Sequence, residues 1–189
     1  MGEPRHRYEI LLSGSGGQGI ILGGIIIAEA GILQGLQVVQ TASYGPESRG
    51  GASKSEVILS GSEIDYPAVT APDFVLALTQ EASDKYAGLV RPGGTVLLDS
   101  TWVEHLPQQV RARVVALPLT EEAANRFDAP VVANVIALGF FSERNPLVTS
   151  DSLLQALLRR VPRHYRELNE HAFARGRELA AGGESGLMP

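Results

Sequence analysis

Hydrophobic positions along the chain fall into two rhythms. Short continuous apolar runs bounded by glycine, serine or proline occur at residues 8–13, 37–42, 53–60, 73–78, 95–98 and 113–117. That is the pattern of strands buried on both faces. Segments of helical length occupy 20–33, 80–90, 120–127, 131–141, 150–160 and 162–181. Pro92-Gly93-Gly94 stops the second of these. Thr120 with Glu121 and Glu122, and Thr149-Ser150-Asp151, read as helix starts, because hydroxyl and carboxylate oxygens accept the unpaired first-turn N–H groups. Strands alternating with helices, then a helical C-terminus, predict a three-layer α/β domain with a mostly parallel sheet over residues 1–181. Residues 182–189 carry no periodicity and are expected to form a flexible tail.

The 20–33 helix is apolar all round: from Ile10 to Pro46 the only charge is Glu29. Such a helix must be covered on both sides. One cover is its own sheet; the other is either the C-terminal helices or a partner subunit. The Gly23-Gly24 pair permits backbone-close packing in both cases. At about 14 residues the segment is short of the ~20 needed to span a bilayer, and the expected location is the cytoplasm.

Composition narrows the chemistry. Sixteen Lys and Arg against 21 Asp and Glu give a net charge of −5, which argues against a nucleic-acid surface. The chain has no cysteine, so it supplies no disulfide, no cysteine nucleophile and no thiolate for zinc or an iron–sulfur cluster. Its 21 glycines are concentrated in the first third, where backbone is expected to approach a ligand or another chain closely.

Gly14-Ser15-Gly16-Gly17-Gln18-Gly19 has the form G-x-G-x-x-G between a predicted strand and a predicted helix. Glycines there let backbone amides face an anion at the positive end of the helix. A nicotinamide dinucleotide site also expects a carboxylate about 20 residues on, at the end of the second strand. That strand ends Val39-Gln40-Thr41-Ala42, without one. The alternatives left by the motif are another phosphate-bearing ligand or a tight turn that uses glycine for packing.

Ser43-Tyr44-Gly45-Pro46-Glu47-Ser48-Arg49-Gly50-Gly51 follows the second strand and is expected at the same sheet edge as the first loop. Tyr44 offers a flat face, Glu47 and Arg49 a charge pair, and Gly50-Gly51 close approach. Gly-Gly-Gln-Gly followed by Ser-Tyr-Gly-Pro-Glu-x-Arg-Gly-Gly resembles the gamma subunit, or gamma domain, of 2-oxoacid:ferredoxin oxidoreductases. Further matches are Ser53 to Ser60, Gln80-Glu81-Ala82, Lys85-Tyr86, Pro92-Gly93-Gly94, Asp99-Ser100 and Ala133-Asn134-Val135. They spread the likeness over nearly the whole chain.

The resemblance implies a Rossmann-like fold and a subunit of an enzyme that oxidatively decarboxylates a 2-oxoacid with coenzyme A, giving acyl-CoA and carbon dioxide and reducing ferredoxin. The 2-oxoglutarate branch is the most similar. It implies thiamine diphosphate, magnesium and iron–sulfur clusters in the alpha and beta partner subunits and in a ferredoxin-like delta subunit, and none held by this chain alone. Coenzyme A is implied at an interface of this chain, with Gly14, Gly16, Gly17, Gln18, Gly19, Tyr44, Glu47, Arg49, Gly50 and Gly51 as the binding candidates. Either these loops touch coenzyme A or they dock on the alpha or beta subunit. A free-standing nucleotide-binding protein is the competing reading. Asn134, in a predicted apolar helix, is expected to be a satisfied packing amide, the alternative being a cap or a bridge between loops. His6, His105, His164 and His171 are scattered, and Arg159, Arg160, Arg163 and Arg166 alternate with acids into a solvated or subunit-facing helix.

Overall fold

A computed structural model describes residues 7–43, 52–106 and 110–182. Six strands form one sheet in the order β2-β3-β1-β4-β5-β6. They are β1 (Arg7–Gly14), β2 (Gln37–Ser43), β3 (Ser53–Ser60), β4 (Phe74–Ala77), β5 (Thr95–Asp99) and β6 (Arg113–Leu117). β1, β4, β5 and β6 are mutually parallel, and β3 alone runs against its neighbours β1 and β2. The expected mostly parallel sheet is therefore present, with one reversed strand.

The helices are α1 (Ile20–Leu33), α2 (Gln80–Tyr86), α3 (Leu119–Phe127), α4 (Ala133–Ser142), α5 (Ser150–Arg160) and α6 (Arg166–Ala181). α1, α4, α5 and α6 share one core with the side chains of Ile10, Leu12, Val57, Leu59, Phe74 and Leu97. On the opposite face α2 and a 3-10 turn cover Leu11, Val75, Ala77, Val96 and Leu98. Alternation along each strand feeds both cores, which is why the strands read as unbroken apolar runs.

Some boundaries differ from the sequence reading. The 80–90 segment is α2 followed by a 3-10 turn, Ala87–Leu89, ahead of the Pro-Gly-Gly stop. α4 and α6 are likewise preceded by 3-10 turns, Pro130–Val132 and Arg163–Tyr165. Thr149 caps α5, its hydroxyl accepting from the Ser152 amide at 3.2 Å. Thr120 does not cap α3, which already starts at Leu119. Its amide and hydroxyl donate to the buried carboxylate of Asp99, the last residue of β5. A carboxylate at a helix start outcompetes a hydroxyl for this place because it carries full charge against the helix dipole.

The two proposed covers of α1 are both accounted for in part. Gly24 and Gly31 bring its inner side against Ser55 and Leu59, and no Cβ fits at either glycine. α5 packs on its outer side, and Arg160 pairs with Glu29. Leu22 and Ile32 stay exposed.

α4 and α6 cross at closer range. A Cβ on Gly139 would overlap the Phe173 carbonyl oxygen, and one on Gly176 would overlap the Ile136 carbonyl oxygen. Two backbones in direct contact hold α4, and therefore Asn134 near its start, at a set height above the sheet.

Candidate functional site: the carboxyl edge of the sheet

The strand β1 ends at Gly14, and the glycine loop turns directly into α1. Gly17 and Gly19 have φ of 88° and 71°, the left-handed region in which a side chain is strained. Gln18 folds back over the loop. Its Oε1 accepts from the Ser15 amide at 2.7 Å, and its Nε2 donates to the Leu78 carbonyl at 3.4 Å. A Cβ on Gly14 would stand 2.5 Å from that Oε1, so glycine at this position makes room for the Gln18 side chain. Gly16 faces open space.

The loop is thus shaped from two sides. Gln18 ties it to the end of β4, and Asn134 ties it to α4, donating from Nδ2 to the Gly19 carbonyl at 3.3 Å. That same carbonyl accepts the first helical bond, from the Gly23 amide at 2.8 Å. Asn134 is buried and hydrogen-bonded, as expected of a packing amide, and through that bond it also bridges α4 to the loop.

Next to the loop lie the carboxyl ends of β4, β5 and β6. Thr79 caps α2. Gln80 pins the stretch after β5, its Oε1 accepting from the Glu104 and His105 amides at 2.9 and 3.2 Å. Asp99 is fully buried and accepts from the amides of Thr101 and Thr120, joining the ends of β5 and β6. Together these ends enclose a cavity of about 520 Å³ lined by Gln18, Leu78, Thr79, Trp102, Thr120 and Val131, among others. A second cavity, about 720 Å³, lies across the glycine loop between α1, α4 and α6 and includes Asn134 and Tyr165. Both volumes suit a small organic ligand.

Two properties of this edge bear on chemistry. Among the described residues, no charged side chain lines the smaller cavity. Phosphate there would be met by amides and by the dipole of α1, with any cation arriving from elsewhere. The rim, moreover, is apolar. Trp102, Val131, Tyr165 and Leu22 are 55%, 65%, 50% and 37% exposed, and all four line one of these two cavities.

Tyr44, Glu47, Arg49, Gly50 and Gly51 lie outside the described residues. The flanks of their loop are described; the β3 flank lies directly beside the glycine loop and the β2 flank one strand further out. Ser43 and Ser13 both register against Lys54, and Gly14 registers against Ser53. The Ala52 amide donates to Glu81 Oε1 at 3.1 Å, which fastens this flank to α2. Gly14, Gly16, Gly17, Gln18 and Gly19 therefore lie together at this edge, and the described residues on either side of 44–51 end at the same edge.

This arrangement also explains why no ribose-binding carboxylate appears where a dinucleotide fold has one. The neighbour of β1 on that side is the reversed β3, and β2 is one strand further out. The position beside the end of β1 is filled by the start of β3.

The family model for pyruvate ferredoxin/flavodoxin oxidoreductase matches residues 9–179. The chain belongs to this family. It is 44% identical over 177 residues to the 2-oxoglutarate synthase subunit KorC of Methanocaldococcus jannaschii, covering 92% of this chain and 94% of that one. The gamma subunit of a keto/oxoacid ferredoxin oxidoreductase from Geobacter sulfurreducens superposes with a TM-score of 0.86 at 44% identity, over 96% of this chain and 100% of that one. A 2-oxoglutarate:ferredoxin oxidoreductase from Magnetococcus marinus, solved with 2-oxoglutarate, coenzyme A and succinyl-CoA bound, superposes with a TM-score of 0.84. It covers 98% of this chain and 33% of that one at 23% identity, a likeness of fold. The resemblance carried by the two loops thus extends to the whole family domain, fold included.

Reading the sequence by motif alone passed over the lining at Leu78, Thr79, Trp102 and Val131 and the fastening role of Asp99. Leu78, Thr79 and Asp99 end or directly follow parallel strands, so the rule that ligands gather at the carboxyl edge was the available signal. Val131 reaches the site from the turn before α4 and had no such signal.

Proposed function

We propose that this chain is the gamma subunit of a cytoplasmic, CoA-dependent 2-oxoglutarate:ferredoxin oxidoreductase, and that its carboxyl edge forms one wall of the coenzyme A site. The observation that carries this reading is that the glycine loop, an apolar-walled cavity and both flanks of the second loop all lie at one edge of the sheet. The 44% identity to a 2-oxoglutarate synthase subunit supports the choice of oxoacid, and the Magnetococcus enzyme, whose matching third has this fold, binds coenzyme A.

In this role the chain binds and positions and performs no proton or electron transfer. The amides of residues 16–20 meet a phosphate of coenzyme A at the α1 N-terminus. Arg49 supplies the cation that the described lining lacks, through a charge-assisted hydrogen bond. The exposed apolar rim at Trp102, Val131, Tyr165 and Leu22 seats the alpha and beta subunits, since clustered exposed apolar side chains mark association surfaces. Thiamine diphosphate with its magnesium, and the iron–sulfur clusters that pass electrons to ferredoxin, belong to those partners and to a ferredoxin-like delta subunit. With no cysteine, this chain has no thiolate to give a cluster.

The test is Arg49→Ala in the assembled complex. The expected result is a raised KM for coenzyme A or a weakened association with the alpha and beta subunits. An assembled enzyme with unchanged coenzyme A kinetics overturns the assignment of the second loop.

A further inference from the structure

We propose that Asn134 is a positioning residue for the glycine loop, fixing from α4 the orientation of the peptide that opens α1 and so the amides offered to a phosphate of coenzyme A. This rests on the coenzyme A reading above and adds a residue outside both loops.

Gly19, the residue that opens α1, has φ of 71°. A helix entrance usually has an extended residue whose own side chain takes a first-turn amide. Gly19 has no side chain to do this, and no side-chain cap is present. Its peptide is held instead through the carbonyl, which accepts from Gly23 within the helix and from Asn134 Nδ2 outside it. A trans peptide points its C=O and N–H in opposite directions. Holding the Gly19 carbonyl toward α4 therefore turns the Ile20 N–H the other way, toward the loop. The fit is close, because a Cβ on Gly19 would overlap Asn134 Nδ2.

Asn134 can serve as a fixed reference because its own helix cannot shift. It is 7% exposed in an α4 whose every residue is buried, and the Gly139–Gly176 crossing presses α4 onto α6 backbone to backbone. Gln18 performs the matching task on the β4 side. A buried polar side chain has a desolvation cost, and one bond to a loop carbonyl is what Asn134 gains here.

The experiment uses the assembled complex and steady-state kinetics with coenzyme A and 2-oxoglutarate varied separately. Asn134→Asp keeps the shape, removes the donor and sets a carboxylate against both the Gly19 carbonyl and an incoming phosphate. Asn134→Ala only removes the donor. The expected result is a KM for coenzyme A raised about tenfold in the Ala variant, the scale of one lost hydrogen bond, and further in the Asp variant. The KM for 2-oxoglutarate should stay within about twofold in both, a discrimination that a general loss of packing does not produce.

Unchanged coenzyme A kinetics in both variants overturns the proposal, as does an equal rise in both KM values. Failure of both variants to assemble makes Asn134 a folding residue and overturns it too. Gly16→Asp separates this inference from the reading beneath it, because Gly16 faces open space and its replacement puts a negative charge directly in the loop. If Gly16→Asp leaves the KM for coenzyme A unchanged, the loop does not bind it and the functional reading fails. If Gly16→Asp raises that KM and the Asn134 variants do not, only the positioning role fails.

Discussion

Gly139→Ala opposes two effects whose sizes decide the outcome. Within α4, replacing glycine by alanine should stabilise, since glycine costs a helix interior roughly 1 kcal/mol relative to alanine. Against that stands the crossing with α6. The new methyl group would overlap the Phe173 carbonyl oxygen and lie 3.0 Å from its carbon and 3.1 Å from Gly176 Cα. Carbon atoms in contact prefer about 3.5–4.0 Å, so α6 must retreat by roughly half an ångström or more. Its neighbours are backbone atoms, which have no rotamer to change. Overpacking of this kind costs about 1–3 kcal/mol, and a backbone obstacle places it at the upper end. The net expectation is a loss of about 2 kcal/mol, or a Tm lowered by about 4–8 °C for a chain of this size. Differential scanning calorimetry of the purified chain measures it, with Gly88→Ala, which meets open space, as the comparison expected to move little. A Gly139→Ala protein with unchanged or raised Tm refutes the close α4–α6 crossing, and with it the rigid mounting of Asn134.

Other expectations follow from the ion pairs and fastenings. The hydrogen bond from Arg175, first among the causes, holds the Glu122 carboxyl below its usual range. A lowered folded pKa contributes stability above the ordinary glutamate pKa and loses it as pH falls through the folded value. Arg175→Gln should therefore be less stable than the parent at pH 7, by about 0.5–1 kcal/mol, and the gap should close at acid pH once Glu122 is protonated in both states. A gap equal at both pH values contradicts the pairing. Asp99→Ala leaves the Thr101 and Thr120 amides without their buried acceptor and should cost about 1–3 kcal/mol by urea denaturation, with Asp99→Asn milder; a wild-type midpoint contradicts it. Glu81→Ala frees the Ala52 amide and should raise the KM for coenzyme A in the complex, with Glu81→Gln close to wild type. Equal behaviour of the two shows that the fastening is unimportant.

Much of this fold was readable because its strands are buried on both faces and separated by glycine and proline. Runs such as Phe74–Ala77 admit few alternatives. Strand direction was not readable from apolar pattern, yet a clue lay in loop length. Only ten residues separate the predicted second and third strands, too few for the crossover that a parallel pair needs, so β3 had to run antiparallel to β2. The glycine loop was legible by its place between strand and helix. Asn134 showed only as one amide in an apolar helix, because its partner at Gly19 is 115 residues away. Asp99 was hidden for the same reason, as the amide of Thr120 that it accepts from is 21 residues on. Long-range polar bonds carry no period, so pattern reading finds their residues without finding their partners.

If this chain is the coenzyme A-facing gamma subunit of an oxoglutarate-oxidising complex, native purification through a tag on it brings down an active enzyme, and the decisive assay is ferredoxin reduction with 2-oxoglutarate or pyruvate, each with and without coenzyme A. Thiamine- and cluster-bearing partner chains should co-purify, and reduction should require coenzyme A and prefer 2-oxoglutarate. A chain that purifies alone, binds NAD or ATP tightly and supports no oxoacid-dependent reduction contradicts it.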